Sequence, residues 1–261
     1  MNRPHFTLET DARGVARLTL DRPERHNVLA GETCDALAAA AGRINADAAI
    51  RVVVLGGNGA SFCAGGDLGW MRAQVAADGA GRRVEARRLA DMLAALNTLE
   101  KPLIGRVHGA AYGGGVGLMA VCDATVVAEG ARFGLTETRL GLIPATIAPY
   151  VIARMGEGPA RSVFFSGGVF DAGEALRLHL ATRVVAAADL DAAVEAEVAP
   201  YLAAAPAAVA AAKRLARSLG PRIDASVIEA SIDRLVATWE TPEAAEGIAA
   251  FLERRPASWM L

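Results

Sequence analysis

Gly109-Ala110-Ala111-Tyr112-Gly113-Gly114-Gly115-Val116-Gly117-Leu118-Met119-Ala120-Val121-Cys122-Asp123 places five glycines in nine positions and then turns apolar. A short buried strand is expected before it, at 103–107, and another after it, at 124–128. Between them the pattern predicts a helix over about 115–121. A glycine turn that opens such a helix allows close backbone approach and leaves the first helical N–H groups free. Upstream, Arg51-Val52-Val53-Val54-Leu55 is a continuous β-branched run, as in a strand buried on both faces. It ends in the loop Gly56-Gly57-Asn58-Gly59. Strands separated by helices of this length predict an α/β fold with repeated β-α units and a largely parallel sheet.

Further out, residues 5–9 and 15–20 alternate apolar and polar around Asp11-Ala12-Arg13-Gly14, which reads as a hairpin. Residues 21–27 form a turn-rich loop containing Pro23. Leu37, Ala40 and Ile44 predict a helix over 31–45. Leu89, Met92, Leu93, Leu96 and Leu99 make 84–99 an amphipathic helix, stopped at Lys101-Pro102. From residue 172 the chain reads as mostly helical, with a short strand segment near 183–185. Segments 201–218 and 223–238 are expected as helices of a C-terminal subdomain or oligomer interface.

Composition excludes several classes. In 261 residues, 53% are hydrophobic and 21% charged, which suits a substantial packed core. A net charge of −2 argues against a dedicated nucleic-acid binder. Arg82-Arg83 and Arg87-Arg88 stand among Glu85 and Asp91 and read as a solvated helix face. Cys34, Cys63 and Cys122 show neither disulfide nor zinc spacing. The N-terminal stretch is polar rather than a secretory signal, and no apolar run is long enough to span a membrane. The expectation is a soluble, cytoplasmic protein. No dinucleotide fingerprint, phosphate loop or G-x-S-x-G elbow fits. His108, just before the glycines, reads as a hydrogen-bonded structural histidine.

Two glycine turns remain, Ser61-Phe62-Cys63-Ala64-Gly65-Gly66-Asp67-Leu68 and Tyr112-Gly113-Gly114-Gly115, each between a predicted strand and a helix. Either alone is explained by tight packing. Together their free N–H groups can form a shared anion site, of the kind acyl chemistry needs for an enolate-like thioester. With these come Asp21-Arg22-Pro23-Glu24-Arg25-His26-Asn27-Val28-Leu29, Lys101-Pro102, Phe133-Gly134-Leu135-Thr136-Glu137, Leu140-Gly141-Leu142-Ile143-Pro144 and Phe251-Leu252-Glu253-Arg254-Arg255-Pro256. In this order, over nearly the whole chain, the blocks resemble the crotonase (enoyl-CoA hydratase/isomerase) superfamily.

The resemblance implies a ClpP-like spiral of β-β-α units over residues 1–195 and a helical region, 196–261, for trimerisation and pocket closure. It implies a CoA thioester as substrate with no separate cofactor or metal, and a homotrimer or hexamer. Gly66 and Gly114 would supply the oxyanion-hole N–H groups, and Glu137 the proton-transferring carboxylate, its alternative being an ion pair with Arg139. Arg25, His26, Val28, Leu29, Ala64, Gly65, Asp67 and Leu68 would lie along the CoA and acyl path. Trp70, Tyr112, Gly117, Pro144 and Tyr150 would line the acyl pocket, packing being the alternative for the aromatic residues.

One position departs from the family pattern. Two-glutamate hydratases of this family carry an acid where this chain has Gly117. Three accounts stay open: hydration using Glu137 with another group, isomerisation by Glu137 alone, or acyl-CoA binding without chemistry. Gly117 would also enlarge the pocket. Asp67-Leu68-Gly69-Trp70-Met71-Arg72 and Ile143-Pro144-Ala145-Thr146-Ile147-Ala148-Pro149-Tyr150-Val151 resemble a bacterial branch acting on methylglutaconyl-CoA and isohexenylglutaconyl-CoA. Hydration of a branched or carboxylated 2-enoyl-CoA is therefore the leading expectation.

Overall fold

The computed structural model describes residues 5–260; residues 1–4, part of the stretch read as lacking a secretory signal, lie outside them. Along the chain the strands are β1 (Phe6–Thr10), β2 (Val15–Leu20), β3 (Val52–Gly57), β4 (Leu103–Val107) and β5 (Ala110–Tyr112). They continue as β6 (Ala124–Ala128), β7 (Arg132–Gly134), β8 (Val169–Asp171) and β9 (Arg183–Val185). The helices begin with α1 (Gly31–Ala46), α2 (Leu68–Ala76), α3 (Gly79–Asn97), α4 (Gly114–Ala120), α5 (Ala148–Met155) and α6 (Glu157–Phe164). Then come α7 (Ala172–Arg177), α8 (Leu190–Ala203), α9 (Pro206–Leu219), α10 (Ala225–Trp239) and α11 (Pro242–Glu253).

Six strands form one sheet in the order β1-β2-β3-β4-β6-β9, and three form a second, β5-β7-β8. Only the β1–β2 hairpin is antiparallel in the large sheet; the other pairs are parallel. The large sheet is covered on both sides, which is why β3 needs apolar residues at every position. Val53 and Leu55 join the cluster that contains Leu37, Ile44, Leu93 and Leu96 from α1 and α3. Val52 and Val54 face the other way, against Leu190, Val194 and Val198 of α8. Each such fully buried Val or Leu contributes about 1.5–3 kcal/mol of apolar burial.

The chain steps repeatedly from the large sheet to the small one and then into a helix or turn. β4 leads to β5 and α4; β6 leads to β7 and a 3-10 turn, Glu137–Leu140. This is the expected β-β-α spiral. A bridge between Cys63 and Ala111 extends the small sheet by one residue of the first glycine turn. Cys63, Ala111 and Phe133 thus stand in one row. Counting three residues forward along each parallel segment reaches Gly66, Gly114 and Thr136, the last beside Glu137. Register alone brings the two glycines and the acid to one end of the small sheet.

The expected elements at 103–107, 124–128 and 183–185 are present with those bounds, and others shift. The helix expected at 84–99 starts earlier, because Asp78 accepts a 2.8 Å hydrogen bond from the Gly81 N–H and caps α3. The helix expected over 201–218 is two helices, interrupted before Pro206, which starts α9. The expected boundary at residue 195 falls inside α8, whose Leu190, Val194 and Val198 pack on the sheet as one unbroken helix. The α3 arginines are less solvated than expected: Arg83 pairs with Glu229 and Asp233, Arg87 with Glu229, and Arg82 lies 5.6 Å from the centre of the Trp239 ring. They tie α3 to α10. No described helix is long and apolar enough to cross a membrane.

Candidate active site

The two glycine turns are stitched together by backbone. Cys63 N–H donates to Ala110 O, and Tyr112 N–H donates to Cys63 O, both at 3.1 Å. The approach is close: a side chain on Gly115 would begin 2.2 Å from Cys63 O. In the parallel bridge between Leu29 and Gly66, Leu29 N–H donates to Gly65 O and Asp67 N–H donates to Leu29 O. The flanking residues make those bonds, so the N–H of Gly66 itself points away from Leu29. Gly114 is the first residue of α4, where an N–H has no intrahelical acceptor. Both glycines line one cavity of about 800 Å³.

Glu137 enters the same cavity. Its backbone C=O accepts from the N–H groups of Gly141 and Leu142, which fixes the 3-10 turn. Its Oε1 lies 2.9 Å from where a side chain on Gly113 would begin, one residue from the Gly114 donor. Gly113 has φ +46°, so both conformation and space call for glycine there. Oε2 has no hydrogen-bond partner among the described residues. Burial pushes the carboxyl up to about 7. The alternative ion pair with Arg139 is not formed: among the described residues Glu137 has no cationic partner, and Arg139 packs beside Gly167.

The loop before α1 is held against the first turn. Asn27 donates through Nδ2 to Asn58 O and Ser61 O, and its Oδ1 accepts from Arg22 N–H, each at 2.8 Å. His26 Nδ1 lies 3.0 Å from Ser61 Oγ. Arg25 pairs with Asp67 at 2.8 Å, and Asp67 Oδ1 caps α2 by accepting from Gly69 and Trp70 N–H. Asp67 is therefore the organiser of this corner. His108 Nε2 lies 2.8 Å from Gly59 O, the structural role expected of it.

Arg25, His26, Val28, Leu29, Ala64, Gly65, Leu68, Trp70, Tyr112 and Pro144 line the cavity with Asp67, the two donor glycines and Glu137. Gly117 and Tyr150 do not, and both expectations are corrected. A side chain on Gly117 would begin 2.6 Å from Ile147 Cγ2, so Ile147 fills the space that a missing acid was expected to open. Tyr150 is 2% exposed and packs in the core.

Glu85 and Thr146 are among the cavity residues not picked out from sequence. Glu85, assigned to a solvated face, accepts a 2.9 Å hydrogen bond from Trp70 Nε1. Its signal was helical spacing: Glu85 and Leu89 share the stripe that continues to Met92 and Leu96. Thr146 is buried, with an unpartnered Oγ1, and its neighbours gave no sign of that. Leu235, Trp239, Gly247 and Phe251 bring α10 and α11 over the same cavity. Among the described residues no group of three or more His, Cys, Asp or Glu is placed to hold a metal. The arrangement sets two glycine turns, whose free backbone N–H groups are chemically suited to an oxyanion, beside a carboxyl that burial pushes up to about 7.

The sequence profile of the family described as Enoyl-CoA hydratase/isomerase matches residues 10–260. A crotonyl-CoA hydratase of Syntrophomonas wolfei is 31% identical over 255 residues, spanning 94% of each chain. The structure of an enoyl-CoA hydratase from Mycobacterium avium superposes with TM-score 0.85 at 30% identity, covering 99% of this chain and 100% of the other. That of an enoyl-CoA hydratase from Shewanella pealeana gives TM-score 0.80 at 33% identity, covering 98% and 96%.

Proposed function

Since the chain belongs to the enoyl-CoA hydratase/isomerase family, we propose that it adds water to a 2-enoyl-CoA thioester with Glu137 as its single catalytic carboxyl. The observation that carries this reading is the meeting of Gly66, Gly114 and Glu137 at one cavity. In the forward direction the Glu137 carboxylate takes a proton from water as the water oxygen bonds to the β-carbon. The π electrons move to the thioester oxygen, where the Gly66 and Gly114 N–H groups stabilise the enolate. Glu137 then returns the proton to the α-carbon and the thioester re-forms. One water is added and the carboxylate is regenerated. A carboxyl near 7 is suited to both halves, being a competent base and a competent acid at neutral pH.

The acyl group in this reading is branched or carboxylated, methylglutaconyl-CoA-like. The support is the size of the cavity and the presence in its wall of Arg139, which pairs with no carboxylate among the described residues. The reading also takes the chain to assemble as a homotrimer or hexamer. The exposed Phe165, Leu215 and Leu219 are consistent with buried contacts between copies.

One observation favours a second reading, isomerisation. Ile147 closes the space of a second acid, leaving the proton shuttle of a one-carboxylate isomerase. A panel of straight, branched and carboxylated 2-enoyl- and 3-enoyl-CoA thioesters separates the two. Hydration predicts loss of the conjugated thioester with water incorporated at the β-carbon. Double-bond migration without water uptake would give the site to isomerisation, and no reaction with any member would contradict both.

A further inference from the structure

A side chain in a cavity wall selects among substrates when it stands beside the reacting group and is itself held still. Trp70 meets both conditions. Cε3 and Cζ3 of its indole lie 3.6 Å from where a side chain on Gly66 would begin, so the ring packs against the turn that carries one proposed thioester donor. Its single polar atom, Nε1, donates to Glu85 Oε2 at 2.9 Å. The half-buried indole lines the cavity with its hydrocarbon, and Leu89, one turn beyond Glu85 on α3, lines it too. Glu85 is clamped in turn. Its Oε1 lies 3.1 Å from Arg88 Nη1, and Arg88 Nε lies 3.5 Å from Asp35 of α1. A side chain on Gly31, the first residue of α1, would begin 2.7 Å from Glu85 Oε2, so the carboxylate sits directly on that helix. The indole is thus braced from α3 and α1 as well as by its own helix.

A thioester held at Gly66 has two neighbours for this ring, the pantetheine arm and the acyl group. The pantetheine amides need hydrogen-bond partners, and a ring whose only donor is already taken offers none. Acyl carbons need apolar contact alone. We propose that Trp70 is a specificity-determining residue that limits the bulk of the acyl group beside the thioester, and that Glu85 is the positioning residue that keeps the indole there. The inference rests on the seating of the thioester at Gly66 in the reading above, and not on which reaction follows.

The test is calorimetric binding of free CoA, butyryl-CoA and 3-phenylpropionyl-CoA to the full chain, so it needs no turnover. Trp70→Ala should raise the affinity for 3-phenylpropionyl-CoA relative to butyryl-CoA by about tenfold or more, the scale on which apolar pockets discriminate bulk. Trp70→Phe, a milder change that keeps a ring, should give an intermediate ratio. Glu85→Ala keeps the indole but removes its acceptor and should raise the same ratio roughly threefold or more. Glu85→Gln, whose amide oxygen still accepts from Nε1, should stay within about twofold of wild type, as should the free-CoA affinity of every variant. A ratio unmoved in both Trp70 variants, or free-CoA affinity falling in step with thioester affinity, would overturn the role of Trp70. Glu85→Ala with the wild-type ratio would overturn that of Glu85. Wild-type chain that binds neither thioester would instead overturn the thioester seat itself, and with it the reading above.

Discussion

At the scale of single residues, Glu137 holds a conflict between stability and chemistry. An ordinary carboxyl near 4.5 is pushed to about 7 by burial, with no cation among the described residues to offset it. Below 4.5 the carboxyl is protonated in folded and unfolded chain alike, and its burial in charged form costs nothing. As pH rises the unfolded chain ionises first, and above 7 the full cost of about 3 kcal/mol falls on the native state. Glu137→Gln should therefore unfold with a free energy up to about 3 kcal/mol larger than wild type at pH 8. The gain should shrink as pH falls through 7 and disappear towards 4.5, as denaturant titrations at several pH values will read. An equal effect at all pH values would mean that packing, not ionisation, sets it. The two glycine turns were legible in the sequence as local pattern, whereas Glu137 was singled out through the family resemblance of its block. Ile147 filling the space at Gly117 was not legible, since only the folded chain brings α4 against the segment before α5.

At the scale of elements, the site is made by register. The row Cys63–Ala111–Phe133 sets the glycine turns and the Glu137 turn side by side. The strands on either side of that row could be read from β-branched runs. The short β5 and β7, three residues each, carry too little pattern to announce themselves. The Glu137 turn is braced from behind by α11, where a side chain on Gly247 would begin 2.5 Å from the carbonyl carbon and oxygen of Leu140. Gly247→Ala should push α11 off the turn, lowering stability by about 1–3 kcal/mol as an overpacked contact. Displacement of Glu137 should also slow hydration by roughly tenfold or more. Gly158→Ala, on a helix with open space at that position, is the control and should change neither. Paired melting curves and rate measurements decide it; an unchanged Gly247→Ala variant would remove α11 as the brace. Helix α11 itself was hidden in the sequence, where only its last residues fell within a family block.

At the scale of the molecule, a two-sided sheet carries a smaller sheet whose loops build the cavity, and the C-terminal helices α10 and α11 close over it. The division between core and C-terminal region was legible only in outline, because α8 belongs by packing to the sheet although it continues past the expected boundary. The residues that line the cavity thus come from elements far apart in sequence, Glu137 among them. The most direct measurement is hydration of a reactive 2-enoyl-CoA by wild type and by Glu137→Gln, together with calorimetric binding of an unreactive acyl-CoA to each. Removing a proton-transferring group predicts a fall in turnover of about 10²–10⁴-fold, with acyl-CoA affinity held within a few fold. Turnover retained by Glu137→Gln would contradict the account.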